Sequence, residues 1–362
     1  GAPEIPDLFT AYPKTALHFQ EKAMLVNFDD YFTEEELSKY VPSFVQEGRF
    51  GDNGLYVFPF AKSTEILFLN KTLFDRFSAE SDITMEDLAT IEGIVQTSVK
   101  YYEWTDAKTP DIEDDGKMFF TADSWLNLTQ SVFEQHGEEL FVNDTLNLEQ
   151  DTYTRFWNLL YPAVAKGGIA IYDGYSSDLS KTGDLVCSIG STAGIIFYAD
   201  TITYSDNTVE EVEYDILPYP IMSGEKKIAI QRGNGLCVTK STKAKEYAAS
   251  VFIKWFTNSA QNIRFISSTG YLPVTKDAFQ NQLPNEMNQV TDSKVKAMLT
   301  ASINMYKEYA FFIPPTFEQF DTIGKEYETN LKALLQEAQE AYRNDETNLD
   351  QLSEAALKSL IK

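Results

Sequence analysis

Residues 241–274, STKAKEYAASVFIKWFTNSAQNIRFISSTGYLPV, contain two successive helix signatures and the turn that follows them. Ser241 or Thr242 supplies an N-cap oxygen, and Tyr247, Ala248, Val251, Phe252 and Trp255 then recur at helical spacing on one face. Asn258, with Gln261 three residues on, reads as a second cap opening a shorter helix that Gly270 ends. Tyr271-Leu272-Pro273 follows at once, so an aromatic ring is set on a stiff turn.

Outward from this stretch, short strands alternate with amphipathic helices, which predicts α/β layers. Strands are expected over 5–10, 55–60 and 66–69, with Lys62-Ser63-Thr64-Glu65 between the last two. A further strand over 184–189 runs into Gly190-Ser191-Thr192-Ala193-Gly194, and 195–199 begins a helix or extends that turn. Extended segments over 214–220 and 227–238 flank a Ser223-Gly224 turn. Helices are expected over 14–21, 85–100, 124–136 and 151–165, and they dominate after Pro273, including an acidic, Ala-rich stretch over 326–342. No internal repeat or low-complexity linker interrupts the chain, so strands crossing between domains must join them.

At 362 residues the chain is long for one core, and two domains are expected. Hydrophobic residues make up 43%, which excludes general disorder. No apolar run approaches the length of a membrane span. No signal-peptide pattern opens the sequence, and Gly1 reads as a cleavage remnant. A net charge of −25 disfavours nucleic acid and anionic membranes as partners. The 20 tyrosines offer rings with a polar edge, suited to sugars as well as to cores. Cys187 and Cys237 are no disulfide framework and are expected as buried thiols in strands.

Five segments occur in an order shared with one family. These are 54–71 (GLYVFPFAKSTEILFLNK), 183–193 (GDLVCSIGSTA), Leu217-Pro218-Tyr219-Pro220, Gly233-Asn234-Gly235, and the Lys-Trp-Phe to Thr-Gly-Tyr-Leu-Pro-Val run over 254–274. In this the chain resembles extracellular solute-binding proteins of ABC importers, of the sugar- and glycerol-3-phosphate-binding type that includes maltose-binding proteins. The resemblance implies an α/β, two-lobe periplasmic-binding-protein-like (type II) fold with a ligand cleft between lobes joined by crossover strands. It places 1–62 plus 217–268 in an N-terminal lobe and 63–216 plus 269–362 in a C-terminal lobe. The resemblance implies that the family's usual N-terminal strand-helix-strand-helix, about 60 residues at about 30 per unit, is missing before Ala2-Pro3-Glu4, and an exposed sheet edge is then expected in the first lobe.

The implied function is capture of a carbohydrate by hinge closure and delivery to membrane permease subunits. The implied setting is extracytoplasmic, periplasmic or as a cell-surface lipoprotein, with the protein a monomer and without a cofactor or metal. Tyr271 is expected against ligand, with Tyr12 matched by an aromatic in some relatives. Trp125 resembles a cleft residue, though a Trp at a helix start serves equally as a core anchor. Phe320 resembles the position of a sugar-stacking aromatic. Ser63, Thr64, Ser191 and Thr192, at expected strand ends, offer hydroxyls where ligands sit in open α/β sheets, and such residues are also ordinary turn formers. Gly233 and Gly235, around Asn234, let main-chain N–H groups approach ligand or make a tight turn. Lys62 and Glu65 lie beside the crossover as ligand contacts or solvated charges. The stretch 310–315 (AFFIPP) lacks the Arg that suits phosphate in the glycerol-3-phosphate binders, which favours a neutral sugar.

Two rival functions remain. A glycosidase needs paired carboxylates, which 55 acidic residues allow but no motif singles out, and His18 and His136 fit no triad. A sensing or adhesin subunit reuses the same fold without transport. The acidic run over 111–116 departs from a calcium loop at Ala122, its twelfth position, and reads as a solvated loop.

Overall fold

The computed structural model describes residues 5–112, 114–288, 290–344 and 348–361, so the acidic run over 111–116 lies partly outside the described residues. The strands that organise it are β1 (Leu8–Ala11), β2 (Phe58–Asn70), β3 (Phe120–Ala122), β4 (Cys187–Ser191), β5 (Tyr214–Leu217), β6 (Ile228–Val238) and β7 (Ala310–Phe312). Among the helices are α1 (Pro13–Glu21), α2 (Pro42–Glu47), α3 (Ile91–Asp106), α4 (Trp125–His136) and α5 (Asp151–Ala165). They continue with α6 (Ser176–Ser180), α7 (Lys243–Phe256), α8 (Ser259–Ile266), α9 (Phe320–Arg343) and α10 (Leu349–Ile361). The chain forms two compact units, one from 1–64, 231–303 and 313–318, the other from 65–230, 304–312 and 319–362. Strands β2 and β6 each start in one unit and end in the other.

In the first unit, β6 lies between β1 and β2 and is antiparallel to both, with Leu8 opposite Val238 and Gln231 opposite Thr64. Gly233-Asn234-Gly235, expected as a turn, lies inside β6. The register shifts between Asn234 and Gly235, and Gly233 has φ +96°, with a Cβ there falling 2.3 Å from the Ala61 carbonyl oxygen. Only glycine permits that approach and that dihedral. The expected break at 62–65 is also absent. Thr64 pairs with Gln231 and Glu65 with Ser191, so two expected strands are one continuous β2.

Side chains fix the rest of this unit. Phe58 packs edge-on against Phe28 and Tyr40, and Phe60 lies against Phe256 and Phe265. The Asn262 amide donates to the Phe60 carbonyl at 3.0 Å and accepts from Val274 N–H at 3.0 Å. The Leu272 N–H bonds the Lys62 carbonyl at 2.6 Å and the Val41 N–H bonds the Val274 carbonyl. These bonds hold the turn after α8 on the first unit, so 269–303 pack here, whereas the resemblance assigns them to the other lobe.

The two helix starts follow the sequence. The Thr242 side chain accepts from Lys245 N–H and that of Asn258 from Gln261 N–H. Helix α8 stops at Ile266, four residues before Gly270, whose positive φ turns the chain into Tyr271. Helix α7 reverses the pattern its apolar spacing suggests. Glu246, Ser250 and Ile253 are its buried residues, while Tyr247 is 64% and Trp255 52% exposed, with Val251 and Phe252 exposed beside them.

In the second unit, β2 from Glu65 onward is antiparallel to β4 and β5, and β3 runs parallel to β4. The start of β6 pairs in parallel with β7. Helix α5 is central, packing on α3, α4, α9 and α10. Its Trp157 is fully buried and donates to the Ser353 hydroxyl of α10 at 2.9 Å. A chain of hydroxyls, Thr129 to Tyr327 at 2.8 Å and Tyr327 to Tyr153 at 3.1 Å, ties α4, α9 and α5 together. Cys187 and Cys237 are buried free thiols, and burial raises the Cys237 pKa to about 12, leaving it unreactive.

Candidate functional site

Lys62 does not reach out to solvent. Its ammonium is buried, pairs with the Glu47 carboxylate of α2 at 2.6 Å and donates to the Gly233 carbonyl at 3.0 Å. Burial pulls Lys62 down and pushes Glu47 up, and each is opposed by the other's charge. Gln231 adds its amide to the same carboxylate and to the Ser43 carbonyl. This ion pair pins α2 to the β2–β6 ladder. Ser63 and Thr64, expected at a strand end, are buried within β2 opposite Arg232 and Gln231.

Beside that ladder the first unit gathers polar and aromatic groups. Tyr12, directly after β1, is 44% exposed, with the Lys14 ammonium 6.0 Å from its ring. Tyr271 is half-buried and stacks on Phe265 at 6.1 Å and 10°. Burial raises the Tyr271 phenol, neighbouring Tyr12 raises it further, and the Arg232 guanidinium opposes both. Asn234 is half-buried, and its buried Oδ1 has no hydrogen-bond partner. The structure therefore brings Tyr12, Tyr271, Asn234 and Arg232 into one neighbourhood, which can stack on an apolar sugar face and satisfy hydroxyls.

In the second unit, Glu65 is buried and its Oε1 accepts from the Asn127 amide at 2.7 Å. Ser191 lies opposite Glu65, and its hydroxyl accepts from Ala193 N–H at 3.3 Å, opening the tight turn Thr192–Phe197. The Thr192 hydroxyl is buried with no hydrogen-bond partner. Glu65, Asn127, Ser191 and Thr192 thus form a compact polar set at the carboxyl end of β4.

Two expected ring contacts are corrected. Trp125 is fully buried in the first turn of α4 and acts as a core anchor, with no open ring face. Above it, Glu328 of α9 accepts from the Ser124 hydroxyl and the Leu126 N–H at 2.7 and 2.8 Å, a carboxylate on a helix N-terminus. Phe320 is also buried and packs on Phe141 with ring centroids 5.1 Å apart. Sequence reading missed Glu47, Asn127, Gln231 and Arg232, all partners across the fold. Arg232 alone carried a signal, a charged residue beside the two glycines of β6.

Residues 1–297 match the family model described as bacterial extracellular solute-binding protein. No curated protein sequence matches the chain. Among solved structures, UgpB from Mycobacterium tuberculosis in complex with glycerophosphocholine is similar at 18% identity and TM-score 0.68, covering 99% of this chain and 83% of that one. Maltose-bound MalE3 from T. maritima is similar at 13% identity and TM-score 0.67, over 98% and 84% of the two chains. Lmo0181 from Listeria monocytogenes, an ABC substrate-binding protein in complex with cycloalternan, follows at 15% and 0.67, over 99% and 84%. The fold is shared, and no described helix is long and apolar enough to cross a membrane. On the extent of the family match, the chain belongs to the bacterial extracellular solute-binding proteins.

Proposed function

We propose that this protein captures a neutral carbohydrate outside the cytoplasm and delivers it to the membrane subunits of an ABC importer. The family match over 1–297 carries the reading, and neighbours bound to maltose and cycloalternan support the ligand class. In the first unit Tyr271 and Tyr12 stack on the C–H faces of the sugar, while Asn234 binds a hydroxyl. The second unit, by itself, offers a polar surface in the hydroxyls of Ser191 and Thr192 and in Glu65, which Asn127 holds in place. Transport is preferred to sensing or catalysis, and an extracytoplasmic monomer with a lipid anchor suits delivery to a permease. A second reading rests on Arg232 beside Tyr271 and on the glycerophosphocholine-bound neighbour: a phosphodiester held by its guanidinium.

Thermal unfolding against glucose, maltose, maltotriose, cellotriose, xylotriose and glycerophosphocholine separates the two. Ligand that binds only the native state raises the midpoint. A selective rise with a sugar is expected. A rise with glycerophosphocholine alone would replace the sugar by a phosphodiester.

A further inference from the structure

One buried residue of the first unit is bonded to the peptide groups that carry two of its proposed ligand contacts. The Lys62 ammonium donates to the Gly233 carbonyl at 3.0 Å, and that carbonyl belongs to the peptide leading into Asn234. The Lys62 carbonyl accepts from Leu272 N–H at 2.6 Å, and that N–H belongs to the peptide leaving Tyr271. A peptide group is planar, so a bond to one of its atoms restrains the direction of the side chain beside it. Lys62 is itself held. It is 3% exposed, and its ammonium meets the Glu47 carboxylate at 2.6 Å and lies 5.8 Å from the Phe44 ring. The Gln231 amide bridges the same carboxylate to the Ser43 carbonyl. All of these residues belong to the first unit.

A buried ion pair is weak evidence of a stabilising role, because apolar residues of similar volume often fill such a place equally well. Apolar residues, however, cannot donate to the Gly233 carbonyl. That bond comes where the strand is irregular: Gly233 has φ +96°, and the register shifts between Asn234 and Gly235. A regular ladder therefore does not set the direction of Asn234 there. Its buried Oδ1 has no hydrogen-bond partner and stands open as an acceptor. We propose that Lys62 is a positioning residue for ligand binding, holding Asn234 through Gly233 and Tyr271 through Leu272. The proposal rests on the carbohydrate reading and deepens it, since groups ordered in advance lose less freedom when ligand arrives. Glu47 serves by neutralising and orienting the ammonium that makes the Gly233 bond.

Titration of the full chain with maltotriose, cellotriose, xylotriose and glycerophosphocholine tests it in a double-mutant cycle. The cycle compares the parent, K62M/E47L, N234A and all three substitutions together. Removing Glu47 along with Lys62 leaves no unpaired buried charge, so the unfolding midpoint of K62M/E47L should stay close to the parent. Its trisaccharide affinity should nevertheless fall by about tenfold, as the side chain of Asn234 is freed. The substitutions leave the Lys62 carbonyl in place and cut only the Gly233 bond, so adding them to N234A should weaken binding hardly further. A purely structural ion pair would give no loss of affinity, or losses that simply add, and either result overturns the role while the carbohydrate reading stands. If K62M/E47L does not fold, K62M/E47M takes its place in the cycle with the same expectations. If the parent binds glycerophosphocholine alone, the carbohydrate reading falls and the same cycle with that ligand decides the role of Lys62. If the parent binds none of the four, both readings fall.

Discussion

Helices α5 and α7 look alike in the sequence and end up opposite in the fold. Both are amphipathic, and both carry a Trp on their apolar stripe. In α5 that stripe is core: Tyr153, Phe156, Trp157 and Leu160 are buried, and Trp157 finds Ser353 as a partner. In α7 the stripe of Tyr247, Val251, Phe252 and Trp255 faces solvent, and Glu246 goes inside. Periodicity locates a stripe, but tertiary partners decide which face is covered. Glu246 accepts from the Tyr31 hydroxyl at 2.5 Å, from Ser241 N–H at 3.0 Å and from the Lys243 ammonium at 2.9 Å. A carboxylate with three donors can be buried where an unpaired one cannot.

Substitutions on the two helices put this contrast at risk. Trp157→Ala removes a filled core position and a buried hydrogen bond, and should cost about 4 kcal/mol in a denaturant titration. A loss below about 1 kcal/mol would mean that α5 is not the centre of its unit.

Glu246→Ala should cost about 2 kcal/mol at neutral pH, because hydrogen bonds to a charged group are lost. The effect depends on pH. Burial pushes the Glu246 carboxyl up, but Tyr31, the Ser241 N–H and Lys243 outweigh it and hold the folded value at about 2, below the ordinary 4.5. A depressed folded value means the contribution is present above the ordinary value and lost as pH falls from 4.5 toward about 2. Glu246→Gln should flatten stability across that interval, and equal slopes in parent and variant would refute the role. The smallest effect is expected at Trp255→Ala, about 0.5 kcal/mol or less, as for an exposed position. A loss as large as at Trp157 would show that the α7 stripe is covered in solution.

Local signals were legible and non-local ones were not. Helix α5 spans 151–165 as its spacing predicts, and the Asn258 and Thr242 caps form as read, because those patterns need only neighbours in sequence. Ser63 and Thr64 looked like turn formers, yet pairing with β6 carries the strand straight through them. Gly233 looked like a turn, and only the approach of the Ala61 carbonyl explains why glycine is required inside a strand. Of the expected site residues, Tyr12 stays largely exposed and Asn234 and Tyr271 half-buried on the first unit. Lys62 and Trp125 went to the interior, since Glu47 of α2 and the packing around α4 that took them leave no mark in the residues next to them.

Calorimetric titration with maltotriose, cellotriose and xylotriose tests the central claim most directly. A saturable isotherm with one of them, one ligand per chain and a dissociation constant near the micromolar range, about 8 kcal/mol, is the predicted result. Heat from glycerophosphocholine alone, with silence from every sugar, would contradict it.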